Sequence, residues 1–134
     1  VTVGLSAANT ANAFLNVLRG NGAGTTFTAP AVQAVKLYVG DPGASGASNA
    51  AAGDTTRKAI GFAAASGGSM TMSTTAPVWT NGGTSETLSH IAVFDSTTAG
   101  SFQYSGALTS SQAWASGNTF TLTALTVSLT PIAA

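Results

Sequence analysis

The chain has 134 residues and only eight formal charges, four Lys or Arg and four Asp or Glu, which cancel to zero net charge. Four scattered cations cannot supply the clustered phosphate contacts of a nucleic-acid partner, and no apolar run reaches the roughly 18 residues of a membrane span. No cysteine is present, which excludes disulfides and thiolate metal sites.

The length fits one domain, residues 1–134. Val1-Thr2-Val3-Gly4 has no basic patch ahead of an apolar stretch, so no secretory leader is expected there. A helix is predicted at about residues 6–19, with Ser6 or Asn9 as its cap. Ala11, Phe14, Leu15 and Leu18 fall at i, i+3, i+4 and i+7 and share one face. Arg19 suits the helix dipole in the last turn, and Gly20 stops the helix. The Gly-rich run 20–24 lacks the following Lys-Ser/Thr of a phosphate loop and reads as a helix stop.

Everything further on reads as strands. Val35, Leu37 and Val39 alternate with Lys36 and Tyr38 as a half-buried strand, which Gly40-Asp41-Pro42-Gly43 ends. Residues 44–54 are Ala, Ser, Gly and Asn with no period, and read as a long surface loop that a neighbour would order. Strands are predicted at 57–63, 69–73 and 76–80, followed by the turn Asn81-Gly82-Gly83. In the strand 88–95, Leu88, His90, Ala92 and Phe94 share one face and Ile91 and Val93 the other, as in a strand covered on both sides. Two strands follow at 101–108 and 111–115. Phe120, Leu122 and Ala124 then alternate in one phase and Leu125, Val127 and Leu129 in the other. That slip predicts a bulge or corner near Ala124-Leu125, where one strand serves two sheets. Short strands at this spacing predict a mainly β fold, an antiparallel β-sandwich or barrel, jelly-roll-like, with one short N-terminal α-helix.

The segments Leu37–Gly43, Thr56–Ile60, Ala76–Trp79, Glu86–Asp95, Gly106-Ala107-Leu108 and Leu125–Leu129 resemble, in that order, a family of small tailed-bacteriophage virion proteins. Members are described as tail fibre-like, minor tail or head decoration proteins. The resemblance spans nearly the whole chain and carries no catalytic motif. It implies a phage structural protein.

Chemistry finds little to use. His90 is the single histidine and reads as a hydrogen-bonded strand side chain. A Ser-His-Asp set written from His90 and Asp95 is nearly free in so serine-rich a chain. Asp41 and Asp54 bracket a loop as oxygen ligands for calcium would, but turn-capping is the simpler reading. No catalytic residue, cofactor or metal site is therefore expected.

A surface of Ser, Thr, Ala and Gly loses little desolvation energy when covered, and a neutral one lacks the repulsion that keeps monomers apart. The expected partners are a second copy of the chain, as a homotrimer, and a major capsid protein. The main reading is a decoration protein that cements the outside of the phage head through multivalent contacts. The alternative is a tail fibre or baseplate module contacting the host surface. A carbohydrate-binding module or small hydrolase fits the fold only. The expected interface comprises Val1, Val3 and Leu5 before the helix, Asp41 and Pro42 in the loop, the pair Arg57 and Lys58, and Trp114 as an aromatic anchor.

Overall fold

The computed structural model describes residues 3–19 and 28–130. Val1 and the expected helix stop at Gly20 lie outside them. A wide π-type turn, Ala7–Ala11, leads into α1, Asn12–Leu18. Among the described residues eight strands follow: β1 Gln33–Tyr38, β2 Lys58–Ile60, β3 Ser69–Thr71, β4 Val78–Thr80, β5 Glu86–Phe94, β6 Phe102–Trp114, β7 Thr119–Thr121 and β8 Thr126–Ser128.

The pairing is antiparallel throughout. One sheet has the order β2-β1-β5-β6, and two ribbons, β3-β8 and β4-β7, make the rest. This is the expected mainly β architecture with one short N-terminal helix. The main core lies between the sheet and the ribbons. Val35, Leu37, Ile91 and Val93 from the sheet meet Trp79 and Leu122, and Phe120, Met72, Leu125 and Val127 close the margin. Val35 pairs with Val93 and Leu37 with Ile91 across the ladder, so alternate residues of both strands enter this core.

The phase slip at Ala124-Leu125 marks a change of partner. Before it β7 pairs with β4, and after it β8 pairs with β3. The two strands predicted at 101–108 and 111–115 are one, β6, with a register shift opposite Leu88 and His90. Near that shift Leu88 joins Ile91 and Val93 in the main core, away from Ala92 and Phe94. Strict alternation from Leu88 to Phe94 therefore fails where the ladder is irregular.

The second face of the sheet carries Tyr38, Ala92, Phe94 and Phe102, with Ala50 packed against them. Its cover is the loop after β1, and that loop is pinned to its own chain. The Tyr38 hydroxyl donates to the Gly46 carbonyl at 2.6 Å. Val39 N donates to Asn49 O, and Ala51 N to Leu37 O. The Glu86 carboxylate accepts from the backbone of Ala52 and Gly53, both at 2.9 Å. Gly46 has φ +68, and a Cβ there would lie 2.7 Å from the Phe102 ring, so only glycine fits. The loop expected to await a neighbour is an internal lid on the sheet.

Candidate functional site

The N-terminal segment reaches the sheet along the free edge of β6. Leu5 bridges Tyr104 in antiparallel fashion. Ser6 N donates to Gln103 O at 2.7 Å, and Ser105 N donates to Gly4 O at 2.9 Å. An unpaired strand edge is a template for association, and these bonds occupy part of it. The first helical turn continues the attachment. Thr10 Oγ1 donates to Gln103 O at 2.8 Å, and Asn9 Nδ2 donates to Phe102 O at 2.9 Å. Ser6 caps the turn, its Oγ accepting from Asn9 N at 3.3 Å, as one of the two expected caps.

This attachment uses the polar side of the helix. Ser6 and Thr10 are buried, whereas no residue of α1 is. Phe14 is 42% exposed, Leu15 63%, Val17 47% and Leu18 78%. The periodicity located the apolar stripe, but the stripe faces outward. The reason is local: β6 offers the incoming segment a row of backbone acceptors, and Asn9 and Thr10 of the turn before α1 take them up, so the turn packs on the sheet and α1 stands clear of it.

Beside α1 lies an apolar groove of about 290 Å³. Leu5, Phe14, Met70, Tyr104, Val127 and Leu129 are among its walls. Ribbon β3-β8 forms one side and the N-terminal segment the other. Its polar members are already engaged: the Tyr104 hydroxyl donates to Gln33 Oε1 at 2.6 Å, and Thr10 Oγ1 also reaches Gln103 Oε1 at 3.2 Å. Burial pushes the Tyr104 phenol well above its ordinary pKa of 10.0, so it stays neutral. Among the described residues no ionised side chain lines this groove.

The residues expected at an interface are placed as follows. Leu5 is exposed and on the groove wall, and Val3 is half-buried beside it. Val1 is outside the described residues. Trp114 is 1% exposed and belongs to the main core, so it is no surface anchor. Pro42 is fully buried under the loop, and Asp41 caps that turn by accepting from Gly43 N at 2.9 Å. The Arg57 guanidinium lies 3.6 Å above the Phe94 ring and donates to the carbonyls of Ser96 and Ala99. It therefore ties down the β5-β6 turn of its own chain. Lys58 sits on the edge strand β2, where a lysine discourages edge-to-edge pairing. The four exposed side chains of α1 were absent from the expected set, although their spacing was the available signal.

Catalytic and metal readings gain no support from placement. His90 Nδ1 contacts the neighbouring Ser89 hydroxyl at 2.8 Å. Asp95 accepts from Ser101 N and from Gln103 Nε2. Asp54 accepts from the amide and hydroxyl of Thr56; burial pushes its carboxyl up, but the bonds from Thr56, the nearby Lys58 charge and the Thr80 amide hold it below 3.8 overall. Among the described residues no three of His, Cys, Asp and Glu gather as metal ligands would. Among them, too, no helix is long and apolar enough to cross a membrane.

A family model described as Podophage GP4 fiber I protein gp80 matches residues 5–130. No curated protein matches the chain. The match takes in the N-terminal attachment, the helix, the groove and all eight strands. The chain thus belongs to the Podophage GP4 fiber I protein gp80 family and is a virion structural protein of the tailed-phage type.

Proposed function

We propose that the protein is a fibre subunit carried on the phage tail, and that it works through contact area alone. The observation that carries this reading is the outward apolar face of α1 on a body with almost no charge. A face of that kind gains from being covered, and this reading takes other protein as the cover. The family's fibre description favours the tail over the head surface. Asp41, Asp54, Asp95 and His90 lie away from the groove, so among the described residues no acid-base pair is poised over it. In this reading the subunit self-associates as a homotrimer, and the repeated contacts along an assembly add by avidity. A major capsid protein is then no direct partner.

Quantitative mass spectrometry of purified particles, together with gold-labelled antibody against this chain, tests the location. A few to a few dozen copies with label on the tail are expected. Hundreds of copies with label over the head would overturn the tail reading in favour of head decoration. Absence from the particle would overturn both.

A further inference from the structure

We infer that the contact between copies of this chain is made by the outer face of α1 and the groove beside it, with Leu15 and Leu18 of one copy seated in the groove of the next. The inference deepens the fibre reading and rests on it for its setting. Its physical basis is separate.

The first argument is area. Leu5, Phe14, Leu15, Val17, Leu18 and Leu129 are each 42–78% exposed. Phe14 and Leu18 are four apart, Phe14 and Val17 three apart, and Leu15 and Leu18 three apart, so the helical members adjoin one another. Leu5, Phe14 and Leu129 meet at the groove, which makes the patch continuous. At roughly 150–200 Å² for a fully exposed large side chain, they present on the order of 500 Å². That lies in the upper range for the largest apolar patch of a typical monomer. In one knob-in-groove contact each copy offers about half of it, on the order of 250 Å², as the apolar centre of the ~800 Å² that each partner buries in a standard interface.

The second argument is fit. The groove of about 290 Å³ is about twice the ~150 Å³ cavity that accepts a benzene ring, which leaves room for two leucine side chains. Anchors at i and i+3 on a short helix are how a helix enters an apolar groove. Of the polar groups in the walls, the hydroxyls of Tyr104, Thr10 and Ser69 and the amide of Gln103 already have partners in their own chain. Covering them strands no donor. Among the described residues the groove carries no ionised group, and the one charge beside the seated face is Arg19, four residues after Leu15, so no like charges meet.

Knob and groove are different parts of this patch, so a contact that seats one in the other is heterologous, and copies related by it close into a ring or continue as a filament. This geometry is tested with two variants of the full chain, Leu18→Lys on the knob and Leu129→Lys on the groove. Both positions are exposed, and thermal unfolding of dilute samples checks that each variant folds. The wild type is expected to show a mass above monomer by light scattering after gel filtration. Each variant alone is expected to run as a monomer. An equal mixture retains one intact knob and one intact groove, and is expected to form a dimer and nothing larger. If a lysine variant fails to fold, Leu15→Ser and Leu5→Ser replace the pair.

A wild type that stays monomeric at its highest soluble concentration overturns the inference, because the groove then serves some other occupant such as a different protein or a lipid. Variants that keep the wild-type mass, or a mixture that stays monomeric, overturn it as well. The fibre reading is judged separately by particle labelling. A monomeric chain found on tails defeats the inference alone, and an oligomer absent from particles defeats the fibre reading alone.

Discussion

The loop at residues 41–54 and the helix α1 invert what their compositions suggest. The loop contains no large apolar side chain other than Pro42, yet it seals one face of the sheet and is tied by Tyr38, Asn49 and Glu86. The helix carries Phe14, Leu15, Val17 and Leu18, yet none of them is buried. The difference lies in what each segment finds on arrival. The loop crosses Phe94 and Phe102, which need a thin cover, and small residues let its backbone come close. The N-terminal segment meets a strand edge with free carbonyls, and hydrogen bonding decides which side faces in. Burial here follows the demand of the receiving surface more than the hydropathy of the arriving segment.

The largest expected effect checks that the main core is complete without the helix. Trp79 is fully buried, and its Nε1 donates to Thr56 O at 3.0 Å. Trp79→Ala should cost about 3–5 kcal/mol, a large share of the ~5–15 kcal/mol that holds a domain of this size. Urea denaturation at low protein concentration measures it. A loss under 1 kcal/mol would mean that stability resides in contacts other than the sheet-ribbon core.

Gly46→Ala probes the loop side of the comparison. The substitution forces a left-handed φ on alanine and drives a methyl into the Phe102 ring. A cost of roughly 1–3 kcal/mol is expected. Faster hydrogen exchange at the amides of Val39, Ser48 and Ala51 should accompany it, since each bonds within or across the loop. A neutral outcome would show that the loop is not pinned and that its cover of Phe94 is incidental.

How much of this was legible in the sequence depended on the range of the interaction involved. Alternation in 35–37 and 119–129 gave the strands, and the slip at Ala124-Leu125 gave the change of partner, because strand phase is written locally; the half-buried reading of 35–39 failed, since the loop buries Tyr38 on the second face and Val39 is exposed past the end of β1. The Asn81 turn was equally plain, and its side chain bonds Thr84 O and Trp114 O. The burial of Trp114 and Pro42 was not legible, because it depends on segments far along the chain. Arg57 looked free for a partner, but its guanidinium binds a turn about forty residues away. The helix stripe was found and its direction was not, because direction was set by Gln103 and Phe102 on β6.

Alkaline pH distinguishes the two faces through their tyrosines. Tyr104 lies under the groove and Tyr38 under the loop. Burial raises both above the ordinary value of 10.0, with Arg57 partly offsetting the rise at Tyr38. The unfolded chain therefore releases these protons first, and the folded state binds more of them above pH 10. Stability is fully present below pH 10 and falls as pH rises through the folded values, by up to about 1.4 kcal/mol per pH unit for each tyrosine. Thermal unfolding between pH 8 and about pH 11 measures the slope, and Tyr104→Phe should flatten it. Acid should matter less. Asp54 contributes stability that is present above 3.8 and lost as pH falls through its depressed folded value, and that carboxylate sits near the surface.

The smallest expected effect is the most diagnostic. Leu18 is 78% exposed in the single chain, so Leu18→Ser removes almost no intramolecular packing and should change dilute-limit stability by no more than about 0.5 kcal/mol. If α1 is covered by a second copy, the wild type gains stability by mass action as concentration rises. Its unfolding midpoint should then climb over a hundredfold range of protein concentration, while that of Leu18→Ser stays flat at the wild type's dilute value. A core leucine would behave in the opposite way, with a large loss independent of concentration. Parallel curves for the two proteins would mean that the outward stripe is left in water, and the contrast between the sealed loop and the waiting helix would lose its functional meaning.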